Sequence, residues 1–337
     1  MSVKYIDDAV SNWHKKPLQN LSKLFRQKRL GHATLIQAPE GVGALSFVYQ
    51  LIEAALCQNP KDFLACKKCK DCLLFESNNH PDVYQLAIPE SKSTIGVDQI
   101  RELTRSLANT AQINLSKFAI IDHLGGLTLA AANALLKTLE EPTTDTYLFL
   151  LSDLQFSALP TIQSRCQRWV LDTPRHEVAE RWLQQQCIMS HPQDLIKALA
   201  LAGGGPIKAK DYLENNIFEW LTPLLLGLEK GEKESCVLSL STLVPKGAEV
   251  EVGNCLIGWI DFILKARHKG QQSHEKAEFY ANLSINDAIS DIQWFNLLEK
   301  VLNIKQLMQR TGANKVMLLE QLLITWFEMT TSRPVGC

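Results

Sequence analysis

Ala33-Thr-Leu-Ile-Gln37 is a short apolar run, long enough for one buried strand. A loop follows, Ala38-Pro39-Glu40-Gly41-Val42-Gly43, and then a helical pattern that runs through Leu56. Strand, glycine loop and helix in that order form the frame in which backbone N–H groups at a helix N-terminus cradle phosphates. A working phosphate loop reads G-x-x-x-x-G-K-[ST]: the lysine reaches the outer phosphates and the hydroxyl holds the metal ion. Gly43 keeps its place here. Ala38 stands where the opening glycine belongs, Ala44 where the lysine belongs and Leu45 where the hydroxyl belongs. The frame therefore predicts an α/β nucleotide-binding architecture, and its side chains predict no nucleotide hydrolysis.

The next segments continue the alternation. Val83–Ala87 reads as a strand, and 98–109 as an amphipathic helix with Ile100, Leu103 and Leu107 inward. Lys117–Asp122 is an apolar strand ending in an acid, the shape of a metal-coordinating motif. Active ATPases of this kind place Glu next, to polarise the attacking water. This chain has His123, which reads as a surface histidine rather than a base. Leu129–Leu139 is an alanine-rich helix that runs into Glu140-Glu141-Pro142, where proline stops it. Thr146–Ser152 and a short stretch within 164–171 supply further strands. Strands alternating with helices predict a mostly parallel sheet covered on both faces.

After Pro174 the pattern changes. Short helices are expected from 175 to about 210, ending near Gly203-Gly204-Gly205-Pro206. Longer ones are expected at 216–228, 234–243, 250–269, 286–309 and 315–327, with 1–30 also helical. The glycine cluster and 270–273 are the expected hinge or loop points. At 337 residues the chain exceeds one ordinary core. The expected partition is 1–172, 173–210 and 211–337. With 35 basic and 36 acidic residues the net charge is -1, so no global attraction to nucleic acid exists. Neither a signal-peptide core nor a membrane-length apolar run is found, and a cytoplasmic location is expected.

In a reducing compartment nine cysteines are not a disulfide framework. Four of them cluster as C-x8-C-x2-C-x2-C: Cys57, Cys66, Cys69 and Cys72. Short C-x2-C turns aim two thiolates at one ion, and four thiolates close a tetrahedral zinc shell with no open position. The expected role is structural, with Lys67, Lys68 and Lys70 offsetting part of the negative charge. An iron–sulfur cluster is the alternative occupant.

Together these pieces resemble the AAA+ clamp-loader subunits of bacterial DNA polymerase III, and among them the delta-prime type. The resemblance is strongest from 31 to 171. It rests on Gly31-His32-Ala33 before the loop, on the four-cysteine knuckle, on Asn133-Ala-Leu-Leu-Lys-Thr-Leu-Glu-Glu-Pro142, and on Ser164-Arg165-Cys166. Gly204-x-Pro206 lies where active relatives carry a second sensor arginine, which is absent. The resemblance implies an AAA+ nucleotide-binding fold, a small helical lid and a helical oligomerisation collar. It also implies an ATP-independent role in a hetero-oligomer with the clamp-loader ATPase subunits and the clamp-opening subunit. That assembly loads a sliding clamp on primed DNA for a DNA-directed DNA polymerase. The chain itself is expected to have no catalysis of its own.

Within that family the arginine of Ser-Arg-Cys acts in trans. A guanidinium supplied by a neighbour stabilises charge on a transferring phosphoryl group. Taken alone, Arg165 reads as a structural arginine pairing a helix end or a carboxylate; within the motif it reads as the finger. Two other functions stay open from sequence: a self-sufficient AAA+ ATPase, and a zinc-bearing adaptor with no role at a nucleotide site. Arg101 and Arg105 lie one helical turn apart and could meet DNA phosphates, although such pairs are usually solvated surface.

Overall fold

The computed structural model describes residues 13–61, 63–89, 94–154, 159–188, 190–230, 235–269, 289–308 and 313–330. The expected helical start before 13 and the loop expected at 270–273 lie outside them, as do both ends of the helix expected at 286–309. The chain divides into two compact units between Val178 and Ala179.

The first unit holds five parallel strands: β1 (Ala33–Ala38), β2 (Val83–Leu86), β3 (Lys117–Ile121), β4 (Thr146–Asp153) and β5 (Gln167–Val170). Their order is β2-β3-β4-β1-β5, which places the strand before the glycine loop second from one edge. The helices are α1 (Lys15–Arg26), α2 (Ala44–Leu56), α3 (Lys70–Glu76), α4 (Val97–Ala108), α5 (Leu129–Glu140) and α6 (Pro160–Gln163).

Alternation along the strands builds two cores. Ile36, Phe118, Ile120, Phe149 and Leu151 face one side and pack with Leu18 and Leu21 of α1 and Phe47, Leu51 and Ile52 of α2. Leu35, Ala119, Ile121, Leu148 and Leu150 face the other and pack with Ile100 and Leu103 of α4 and Leu135 and Leu139 of α5. Both faces are buried, so the central strands read as continuous apolar runs rather than alternating ones. This is the AAA+-type α/β fold that the sequence predicts.

Two buried polar devices hold the ends of this sheet. Lys117 opens β3 and is buried. Its ammonium donates to the carbonyls of Leu107 and, at 2.6 Å, Asn109, closing the C-terminus of α4. Burial pushes its pKa below the ordinary lysine value. Asp82, before β2, accepts backbone N–H groups from Gln112, Ile113 and Asn114 at 2.6–3.0 Å. Burial raises the carboxyl and the three bonds lower it; the bonds win, and its pKa falls below the usual aspartate value.

The second unit is helical: α7 (His176–Gln186), α8 (Pro192–Leu201), α9 (Pro206–Glu214), α10 (Ile217–Lys230), α11 (Ser235–Leu243), α12 (Glu249–Lys269), α13 (Asp291–Met308) and α14 (Lys315–Thr330). Pro206 opens α9 at its first turn, where its missing N–H costs nothing. The helix therefore runs through position 210, and the chain next turns at Asn215 and Asn216, the latter with φ 49°. Trp259 of α12 stacks on Trp326 of α14 at 4.8 Å, with Trp294 of α13 beside them. Glu251 of α12 takes the ammonium of Lys208 on α9 at 3.4 Å and the hydroxyl of Tyr212. Among the described residues no helix is long and apolar enough to cross a membrane.

Candidate functional site

The glycine loop keeps the backbone shape of a phosphate loop. Gly41 and Gly43 adopt φ 78° and 92°, conformations that a side chain would strain, and Gly43 is the N-cap of α2. No side chain caps the helix. Two residues ahead of α1, unnoticed in sequence, pin the loop. Trp13 Nε1 donates to the Val42 carbonyl at 3.0 Å and His14 Nε2 approaches the same oxygen at 3.2 Å. A carbonyl only accepts, so the His14 proton sits on Nε2. The His14 ring is buried edge-on against Phe47 of α2, and burial pushes its pKa down to about 4.

The acid expected at the end of β3 lies at the same C-terminal edge of the sheet as the loop, with β4 between their strands. Burial pushes the Asp122 carboxyl up, partly countered by His123, and His123 itself is exposed. Ala44 and Leu45 occupy the positions where a lysine and a hydroxyl would meet nucleotide and metal. Shape is kept while the cation, the metal-holding hydroxyl and the second acid are missing.

Arg165 sits at the other edge. β1 and β5 run parallel with Thr34 opposite Gln167, so Ser164-Arg165-Cys166 enters β5 beside the start of β1. The phosphate loop leaves the end of β1. That strand has six residues, and a strand rises about 3.3 Å per residue, so about 20 Å separate the two. A guanidinium there cannot reach the chain's own loop.

Its surroundings are specific. Arg165 Nη2 lies 2.6 Å from Glu140 Oε1, the last residue of α5. Nη1 donates to the Thr161 carbonyl at 2.9 Å and to Ser164 Oγ at 3.3 Å. The Arg165 side chain is 35% exposed and that of Glu140 50%. Cys166 lies inward, where burial lifts its thiol to about 11. The Gly31-His32 pair braces both partners: the Gly31 N–H points to Gln167 Oε1 at 3.4 Å, and His32 Nε2 donates to the Leu139 carbonyl at 2.9 Å. Sequence reasoning had both Arg165 and the Leu-Glu-Glu-Pro stretch but not their pairing. The available signal was a helix ending on two acids with one motif arginine unassigned.

The cysteines converge. Cys57 ends α2, Cys69 caps α3 and Cys72 lies within it; the four sulfurs lie within 4.8 Å of one another. A tetrahedral shell with metal–sulfur bonds of about 2.3 Å needs sulfurs about 3.8 Å apart. Cys69 and Cys72 stand at 3.4 Å. N–H groups of Lys68 and Cys69 point at Cys66, and these bonds lower its thiol to about 6, whereas burial raises Cys57 and Cys72. Donor chemistry and spacing thus suit one tetrahedral metal ion. Beside them the buried Asp71 accepts from Gln58 at 3.1 Å and lies 3.9 Å from the buried His80. Arg101 and Arg105 lie exposed on α4; Arg101 pairs with Asp98 at 3.1 Å, and nothing gathers further cations beside them into a nucleic-acid site among the described residues.

A parallel α/β fold with a degenerate phosphate loop, an arginine at its far edge and a four-cysteine module defines a class: AAA+-type subunits whose loop lacks the usual lysine and hydroxyl. A family model described as "DNA polymerase III, delta subunit" matches residues 13–175. The DNA polymerase III subunit delta' of Escherichia coli is 31% identical over 327 residues, 93% of each chain. That of Haemophilus influenzae is 31% identical, covering 93% of this chain and 96% of its own, and that of Yersinia pestis 30%, covering 93% and 94%. The chain belongs to the delta-prime family of DNA polymerase III subunits.

Proposed function

We propose that this chain is an ATP-independent stator of the replicative clamp loader. It supplies Arg165 in trans to the nucleotide of a neighbouring ATPase subunit and helps load a sliding clamp on primed DNA. The observation that carries the reading is the separation of the two chemistries. The loop that would need ATP has lost its reactive groups, while the motif arginine lies about 20 Å away at the other end of a six-residue strand. An arginine so placed is out of reach of the chain's own loop and suits a phosphate of another molecule. Planar, permanently charged and able to bond through a fork, it suits a terminal phosphate on which charge builds.

The four cysteines hold a structural Zn2+ in this reading. Four thiolates leave no position for substrate, so the ion ties α2 to α3 and does no chemistry. Cys69→Ser should release the metal and lower the thermal stability of the first unit. Elemental analysis finding no metal on the full-length wild-type protein overturns the assignment. The second unit serves as lid and collar in this reading, with their junction at the Asn215–Asn216 turn rather than at 210, which falls inside α9. Exposed Ile292 and Phe295 on α13 and Met317 and Ile324 on α14 support a face for partner subunits. The location is the cytoplasm, where the replication machinery works.

The deciding experiment is ATP hydrolysis by the reconstituted complex with clamp and primed DNA. Arg165→Ala should assemble normally and lose hydrolysis at one partner site. The ion pair with Glu140 favours a second reading, in which Arg165 only braces the end of α5. Normal hydrolysis by the variant establishes that one instead.

A further inference from the structure

Resting on the trans-arginine reading, we propose that Glu140 is the positioning residue of Arg165: the carboxylate at the end of α5 sets the direction in which the guanidinium leaves this chain.

An arginine side chain has four rotatable bonds, and its usefulness to a partner's phosphate depends on how little freedom remains to be lost. The Arg165 side chain is partly exposed. Polar contacts at the guanidinium help set its direction. Among the described residues Nη1 donates to the Thr161 carbonyl and Ser164 Oγ, and Nη2 forms an ion pair with Glu140. The first two partners lie in the same turn as Arg165 and move with it. Among the described residues, Glu140 alone joins the guanidinium to a different element. Among the described residues Nε donates to no partner and is left for an external oxyanion.

Glu140 is itself held. Leu135 and Leu139 anchor α5 in the core, the Glu141 N–H closes on the Lys137 carbonyl at 3.0 Å, and His32 fixes the Leu139 carbonyl. Gly31, next to His32, reaches Gln167, two residues past Arg165. One dipeptide before β1 therefore fixes the approach of both ion-pair partners. A carboxylate at this distance also draws off part of the cation's charge. Its contribution is orientation, and a weaker cation is its cost.

The test uses the full reconstituted complex, with kcat and KM for ATP measured in the presence of clamp and primed DNA. Arg165→Ala, Glu140→Ala, Glu140→Gln and the Arg165→Ala/Glu140→Ala pair are compared, with gel filtration and thermal melting of each. Alanine favours the helix, and Glu140 is half-exposed, so Glu140→Ala should fold and assemble. It should lower kcat at the partner site on the order of tenfold with KM unchanged, the scale of a misplaced catalytic contact. Glu140→Gln, which keeps an acceptor of the same shape, should restore most of the loss. The double variant should be no slower than Arg165→Ala alone, because Glu140 acts only through the arginine. If Arg165→Ala is slow but Glu140→Ala keeps the wild-type rate or exceeds it, or if the two losses add, the positioning role is wrong. If Arg165→Ala itself hydrolyses normally, the trans-arginine reading fails first and takes this proposal with it.

Discussion

The glycine loop and the arginine corner lie at opposite ends of one strand and differ in what they hold. At the C-terminal end of β1 the backbone is intact, with two left-handed glycines and an open helix N-terminus, but the side chains that bind and cleave are absent. At the N-terminal end an arginine is specifically braced: Arg165 by Glu140, Thr161 and Ser164, with Gly31-His32 behind them. Backbone shape survives where it supports the core, since Val42 is buried and its carbonyl receives Trp13 and His14. A side chain pointing out of the protein has no such support. Its bracing suggests a use outside the chain.

The largest expected effect lies at the arginine. Arg165→Ala should cost about 10³ or more in hydrolysis at one partner site, the range known for arginine fingers supplied by a neighbour. Arg165→Lys should recover little, because an ammonium cannot copy the planar fork. Rapid quench of ATP hydrolysis in the assembled complex measures both.

The loop end should show itself in stability rather than turnover. His14 is buried and its pKa is pushed from 6.5 down to about 4. The unfolded chain therefore takes up this proton at higher pH than the folded one. Stability from the neutral ring is complete above about 6.5 and is lost as pH falls towards 4, by about 3 kcal/mol in all. Urea unfolding across this window should show that slope, and His14→Gln should flatten it.

A smaller effect is expected at Arg101 and Arg105. Both are exposed and one is already paired with Asp98, so Arg101→Ala with Arg105→Ala should weaken DNA binding by the complex no more than a few-fold. Binding assays at two salt concentrations would reveal a larger role.

The smallest expected effect is none. Wild-type chain alone should not turn over ATP, and Ala44→Lys with Leu45→Thr should not create an efficient enzyme. His123 still stands where the water-polarising acid belongs, and burial holds the Asp122 carboxyl above its ordinary range. Robust hydrolysis by either protein would remove the contrast between the two ends.

Much of the first unit was legible because its signals are local. The apolar runs of β1, β3 and β4, the proline after α5 and the C-x2-C turns each imply a structure within a few residues. Contacts across the sequence were not. The Arg165–Glu140 pair spans 25 positions, and the His32–Leu139 bond spans 107. Neither has periodicity to announce it. The Pro206 start of α9 was misplaced because proline can end one helix or open the next, and only the path of the chain decides. The ion pair of Glu140 was hidden in plain view, inside a stretch read as a family signature and a helix stop.

The parallel sheet also gives the first unit a direction, as a magnet has two poles. In a row of such units, each would accept a cation at one pole and offer one at the other. A unit with a silent loop accepts nothing useful but still offers. Placed inside a closed ring it would leave one idle joint; placed at the end of an open row, it would waste none. In the trans-arginine reading proposed above, the direction of β1 suits such a chain to the end of an open row.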